Sequence, residues 1–279
     1  MTFDELFAIT HIEENRWIAP GAPRTDEPRL FGGLLLGQAI VAASRGTRSC
    51  HALHALFIGA ARRQAPFDII VEVTRDGRAF STRRIEIRER QRLLFSAYCS
   101  HHDGEDGPEH QVEMPDVSSP ETLEDRRLAR ARRASSSGAA PKRYIADEML
   151  DVRPIEPPPA QARGTEARRA IWFRSRERIL GSPEIHQAAI AFASDMGLVH
   201  VGLQLHDGAF GDGSRIEAAS LDHSIWFHRD VTADDWMLMV QRSPTAAHGR
   251  GFSDARIFAR DGRLVATVAQ AFFVRRKRD

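Results

Sequence analysis

The chain has 279 residues, 39 of them basic and 38 acidic, and a net charge of +1. That length accommodates two ordinary domains with ample core, and that balance gives bulk electrostatics no hold on nucleic acid or an anionic membrane. No apolar run approaches transmembrane length, and Cys50 and Cys99, the two cysteines, lack metal-ligand spacing and fit a reducing compartment. The opening MTFDELFAITHIEENRW is mixed and acidic, unlike a secretory leader, so the chain reads as cytosolic. Lys142 and Lys277 are the only lysines, so the arginine runs read as a compositional habit of the source and not as phosphate recognition.

The first helix is expected from about Gly33 to Ser44 in FGGLLLGQAIVAASR, and it is apolar almost all round, which predicts burial. HALHALFI, FDIIVEVTRD, GRAFSTRRI and RLLFSAYCSHH follow as strand candidates separated by charged or Gly-containing breaks. Residues 116–168 break the pattern. SSPETLEDRRLARARRASSSGAAPKR begins as a capped, charged, exposed helix, and RPIEPPPAQARGTEARR is Pro-rich and extended, as suits a connector over the surface. The second helix carries Ile185, Ala188, Ala189, Phe192, Ala193 and Met196 on one stripe, with Ser182-Pro183-Glu184 as start and Gly197 as stop. GAFGDGSR reads as a loop, and LDHSIWFH, DWMLMVQRSP, GRGFSDARI and GRLVATVAQAFFV close the chain as strands.

GRAFSTRRI (77–85) and GRGFSDARI (249–257) share six of nine letters, and their neighbours run in the same order. Each half therefore reads as a helix, a strand, then three strands joined by short turns, which points to a duplicated domain. The predicted class is α+β, with each helix wrapped by a curved antiparallel sheet. The domains fall at 1–115, a linker at 116–168, and 169–279.

With the repeat in place, the sequence resembles the acyl-CoA thioesterase II family, tandem double-hotdog proteins. RLFGGLLLGQAIVAA, HALHALF, RDGRAFSTRR, HQAAIAFASDMGLV, ASLDHSIWFH and GRGFSDARIFARDGRLVATVAQ carry the resemblance jointly. It implies hydrolysis of fatty acyl-CoA to fatty acid and CoA, without metal or redox cofactor, by a homodimer or larger homo-oligomer. It also implies that Asp195 in ASDMG, Ser220 in ASLDHS and Gln270 in TVAQ hold the attacking water. The family usually has Thr where Ser220 stands, so water placement is expected to be looser.

On the residues alone, Asp195 reads first as a helix-end carboxylate set against its own macrodipole. Ser220, at the start of its strand, reads alone as an ordinary edge or turn serine. Gln270 is a single amide on the face Leu264, Ala266, Val268, Phe272, and a buried amide needs specific partners. Gly32 and Gly33, opening the first helix, are the candidate oxyanion donors, or else a tight turn into a buried helix. His54 is a candidate for lining the acyl channel. Asp222 and His223 are adjacent on a strand and face opposite sides, so they do not form a dyad and are expected to be structural. Cys99 is aligned with Gln270, and His51 with Ser220, so the halves diverge at the proposed catalytic positions and one centre per chain is expected. Two other readings stay open. One is a non-catalytic acyl-CoA-binding protein; the other is a hotdog enoyl-CoA hydratase or dehydratase, which would need an Asp/His pair.

Overall fold

The computed structural model describes residues 1–27, 29–60, 65–155, 167–206 and 216–276; the GAFGDGSR loop, Lys277 and most of the Pro-rich segment lie outside them. The first half contains α1 (Phe3–Leu6), β1 (Thr10–Glu13), β2 (Arg16–Ala19), α2 (Gly32–Ser44), β3 (Cys50–Phe57), β4 (Phe67–Asp76), β5 (Ser81–Glu89) and β6 (Arg92–His101). A short 3-10 turn at Pro120–Thr122, α3 (Arg126–Ser136), α4 (Ile145–Met149) and β7 (Leu150–Ile155) occupy the span between the repeats. The second half contains β8 (Ala167–Ser175), α5 (Pro183–Ser194), α6 (Leu198–Leu203), β9 (Ile216–Ser220), β10 (Asp222–Phe227), β11 (Met237–Ala247), β12 (Arg250–Ala259) and β13 (Leu264–Arg276). The connector is therefore not all surface chain: β7 pairs with β8 and adds a strand at one end of the sheet.

Every strand pairing among the described residues is antiparallel, in the order β1-β2-β4-β5-β6-β3-β10-β13-β12-β11-β8-β7, with β9 beside the far end of β13. The two halves do not merely lie side by side. They fuse through β3 and β10, where His54 pairs with Ser224, into one continuous sheet. Strand alternation sets its inner face: along β5, Ser81, Arg83, Ile85, Ile87 and Glu89 are buried while the residues between them are half-exposed.

That sheet wraps α2 and α5, which pack on each other in antiparallel sense. Residues 33–44 of α2 are buried throughout, as its all-round apolar sequence predicts. α5 starts after Ser182 and ends before Gly197, whose φ of +92° only glycine takes without strain. More than one stripe of α5 is buried, because α2 covers one side and the sheet the other; Gln187, Ile190 and Ala191 join the expected set. The crossing is close because it is built on small residues. A Cβ on Gly33 would stand 2.4 Å from the Phe192 carbonyl oxygen, and one on Gly37 would stand 3.1 Å from that of Ala188. Phe3, Phe7 and Phe31 pack their rings around Phe192 and seal the near side.

Candidate active site

The antiparallel crossing makes two junctions, and the residues singled out by sequence collect at one of them, where the start of α2 meets the end of α5. Asp195 is the C-cap of α5 and is buried. Its own helix disfavours a carboxylate there, but the α2 N-terminus faces it, and the Gly33 amide donates to Asp195 Oδ2 at 2.9 Å. Gly32 is as close: a Cβ on it would stand 2.9 Å from the same oxygen. Gly33 therefore holds the carboxylate, and Gly32 leaves it room. This corrects the expectation of a free oxyanion donor at Gly33, because its N–H is already used by Asp195.

The second oxygen, Oδ1, is buried with no hydrogen-bond partner. Burial raises the Asp195 pKa from 3.8 to about 6, against the lowering effect of the Gly33 amide and the Ser220 hydroxyl, with Glu27 adding a further upward push. A carboxylate tuned to that range is half-ionised just below neutrality, which suits a general base.

Ser220 ends β9, opposite Phe272 of β13. Gln270 lies two residues earlier on β13, fully buried on the face with Ala266, Val268 and Phe272. Its Nε2 donates to Ser220 Oγ at 3.0 Å. Asp195, Ser220 and Gln270 thus converge from α5, β9 and β13, three segments remote in sequence.

His223 belongs to the same cluster. It is fully buried on the inner face of β10, and its Nδ1 lies 2.7 Å from Gln270 Oε1 while its Nε2 lies 2.8 Å from Ser194 Oγ. Asp222 turns outward and accepts from the Ala271 amide at 2.8 Å. The two do face opposite sides, as strand geometry requires, but His223 is not remote from the site. A signal was present in the sequence: His223 is the one polar residue on the face it shares with Ile225 and Phe227, as Gln270 is on β13. Two lone buried polar groups on paired strands are natural partners for each other.

His54 does not line a channel. It is exposed on the outer face of the sheet, where Nδ1 lies 3.0 Å from Ser224 Oγ and its ring packs edge-on to Trp226. The alignment of Cys99 with Gln270 is also corrected. Ser253 pairs with Gln270 and the repeat-equivalent Ser81 pairs with His101, so His101 holds the matching place, while Cys99 matches Val268. By the same register His51 matches His223, not Ser220. Cys50 and Cys99 are free and buried, with sulfurs 3.0 Å apart. Among the described residues no group of three or more His, Cys, Asp or Glu side chains is arranged to hold a metal, and no helix is long and apolar enough to cross a membrane.

Comparison with known proteins adds independent findings. The sequence matches the family described as the acyl-CoA thioesterase C-terminal domain over residues 114–274 and the acyl-CoA thioesterase N-terminal domain over residues 21–102. It is 33% identical over 262 residues to human acyl-coenzyme A thioesterase 8, covering 89% of this chain and 81% of that one. It is 29% identical to acyl-CoA thioesterase 2 of Haemophilus influenzae, covering 88% of each. The crystal structure of an acyl-CoA thioesterase II from Mycobacterium marinum superposes with a TM-score of 0.80 at 30% identity, covering 99% of both chains.

Proposed function

The chain belongs to the acyl-CoA thioesterase family and hydrolyses acyl-CoA, and from that premise we propose that Asp195 is its general base and that Ser220 and Gln270 hold the attacking water. The observation that carries this reading is the buried Asp195 carboxylate, with one oxygen tied to Gly33, the other without a partner, and a Gln270–Ser220 pair beside it. A water donating to that open edge gives its proton to Asp195 as its oxygen attacks the thioester carbonyl carbon. The carbon–sulfur bond then breaks and CoA leaves as a thiolate, a leaving group good enough to make a covalent enzyme intermediate unnecessary. With the Gly33 amide occupied, the α2 N-terminus helps chiefly by keeping Asp195 ionised enough to act.

The same reading takes a fatty acyl chain as substrate and a cytosolic homo-oligomer in lipid metabolism as the working form. Support for assembly comes from the outer face of the sheet, where Leu56, Ile58 and Tyr98 are about half exposed, an apolar surface suited to a second copy. Support for the cytosol rests on the two unbridged thiols.

The test is thiol release from acyl-CoAs of several chain lengths. Wild-type protein is expected to release CoA, and Asp195→Asn to lower kcat by about 10²–10⁴-fold, the usual contribution of a positioned base. Acyl-CoA bound without turnover would make the protein a carrier. Hydration of an enoyl-CoA without thiol release would make it a hydratase.

A further inference from the structure

Behind the proposed water site runs a line of buried hydrogen bonds whose direction turns on a count of protons. Ser194 Oγ lies 2.8 Å from His223 Nε2 and also 2.8 Å from the Ala191 carbonyl oxygen, but a hydroxyl has one proton to give. His223 Nδ1 lies 2.7 Å from Gln270 Oε1, and Gln270 Nε2 lies 3.0 Å from Ser220 Oγ.

A neutral imidazole leaves two arrangements, each of which gives up one bond as it stands in the structure. In one, Ser194 donates to Ala191, His223 carries its proton on Nε2, and the Gln270 amide is turned over. The Ser220 proton is then consumed by the amide oxygen and cannot reach Asp195 or a water. In the other, Ser194 donates to His223 Nε2, His223 Nδ1–H donates to Gln270 Oε1, and Gln270 Nε2–H donates to Ser220 Oγ. The Ser220 hydroxyl proton is then left for the carboxylate side. The second keeps the amide orientation in the structure and leaves Ser220 as a donor that stabilises ionised Asp195; the bond it gives up is the one from Ser194 to the Ala191 carbonyl. A doubly protonated ring would serve every contact at once, but burial holds His223 neutral, with its pKa lowered from 6.5 to about 4.

We propose that His223, backed by Ser194, is a positioning residue that locks the Gln270 amide so that its N–H points to Ser220 and the Ser220 hydroxyl points to the base and its water. The proposal rests on the reading of Asp195, Ser220 and Gln270 given above. His223 does not touch substrate and exchanges no proton during turnover. Its effect is to remove the flip of a carboxamide that, left free, would present either end to Ser220.

The same line accounts for the hydroxyl at 194. Ser194 is fully buried in the last turn of α5, directly before Asp195, so one helix end supplies both the base and the start of the line that orients the water-holding groups.

Two measurements test the proposal. The first needs no substitution: the ring nitrogens of His223, read by ¹⁵N NMR and assigned through its own backbone, should show a neutral ring protonated on Nδ1 from pH 5.5 to 8. A ring protonated on Nε2, or one titrating in that range, overturns the proposal.

The second compares His223→Leu with His223→Asn. The Asn side chain places an amide N–H near the position of Nδ1–H, whereas Leu removes the donor. His223→Leu should lower kcat by about 10–100-fold, the cost of leaving Gln270 unpaired and free to turn, with KM within about twofold. His223→Asn should recover most of that loss, and the acid limb of the pH profile should remain that of the wild type. If both variants lose activity equally, or if KM carries the loss, His223 is only a core residue. If Asp195→Asn retains activity, the base reading itself fails. If Asp195→Asn is inactive while His223→Leu keeps wild-type kcat, the positioning proposal alone fails.

Discussion

The duplicated fold gives this protein two helix junctions, and they have been equipped very differently. At one, the start of α2 offers Gly32 and Gly33 and the end of α5 offers Ser194 and Asp195. At the other, the start of α5 offers Pro183, which has no N–H, and the end of α2 offers Ser44 followed by Arg45. Where the first junction has Gln270, the second has His101, with Nε2 3.3 Å from Ser44 Oγ and the ring held neutral by burial, its pKa lowered to about 4.

A cavity of about 760 Å³ opens at that second junction, among Arg48, Asp76, Asp103, Pro183 and Glu184. The larger opening therefore lies at the second junction, and the proposed base lies at the first, where the walls close on a carboxylate. Desolvation is what raises the Asp195 pKa, so the tight junction is the one that can make a base near neutrality.

The comparison can be broken or sharpened at matched positions. Gln270→Ala should lower kcat by about 10–100-fold, since it leaves both Ser220 and His223 without their partner. His101→Ala, at the equivalent place, should leave kcat within about twofold in the same thiol-release assay. Equal losses from both would mean that each junction contributes to turnover.

The pH dependence should follow Asp195. Its folded pKa is raised, so the base is ionised above about pH 6 and protonated below. With Asp195 as base, kcat/KM should fall about tenfold per pH unit below that point. The same shift has the opposite sign for stability: ionising Asp195 in the folded state is disfavoured, and that cost grows as pH rises from the unfolded value of 3.8 through about 6. Asp195→Asn should therefore raise the stability at pH 8 by roughly 2–3 kcal/mol, about two pKa units, and hardly at all near pH 3.5. Denaturant titrations at the two pH values check this. A uniform effect at both would detach the stability change from the carboxylate.

The smallest expected effect is at Ser220. Ser220→Thr restores a methyl that restricts the hydroxyl rotamer, and kcat should rise by no more than about threefold, a fraction of a kcal/mol. A large loss instead would mean that the junction has no room for the methyl.

Much of the architecture was legible because it rests on local regularities. The nine-residue echo at 77–85 and 249–257 announced the duplication, the 3.6-residue stripe of α5 and its Ser182 and Gly197 boundaries fixed a helix, and the apolar face around Gln270 fixed a strand orientation. Asp195, Ser220 and Gln270 were singled out by the resemblance of their motifs, and the need of a buried lone amide for partners gave Gln270 a physical reason as well. Three points misled. His54 looked like a core residue, but its register places it on the outer face, between inward-facing Leu53 and Ala55. Cys99 and His51 were aligned by counting letters, whereas the β5–β6 hairpin holds more residues between Ser81 and His101 than the β12–β13 hairpin holds between Ser253 and Gln270, and a bulge between Cys50 and Ala52 interrupts β3. Gly33 was expected to serve an oxyanion because a helix N-terminus attracts any anion, and a sequence does not name which one arrives first.

The amino-acid order by itself determined the repeat, the strand and helix periods, the residues that must be buried, and the family. Those depend on neighbours within a few positions or on comparison of one half with the other. Only the tertiary structure decided that α2 and α5 cross antiparallel and close enough for the Gly33 amide to reach Asp195. It alone decided that His223 points at Gln270 and not at Asp222, and which junction is tight. Each of these is a contact between segments far apart in the chain, set by sheet register and helix crossing, and a displacement of one residue in either would turn the same side chains to a different face.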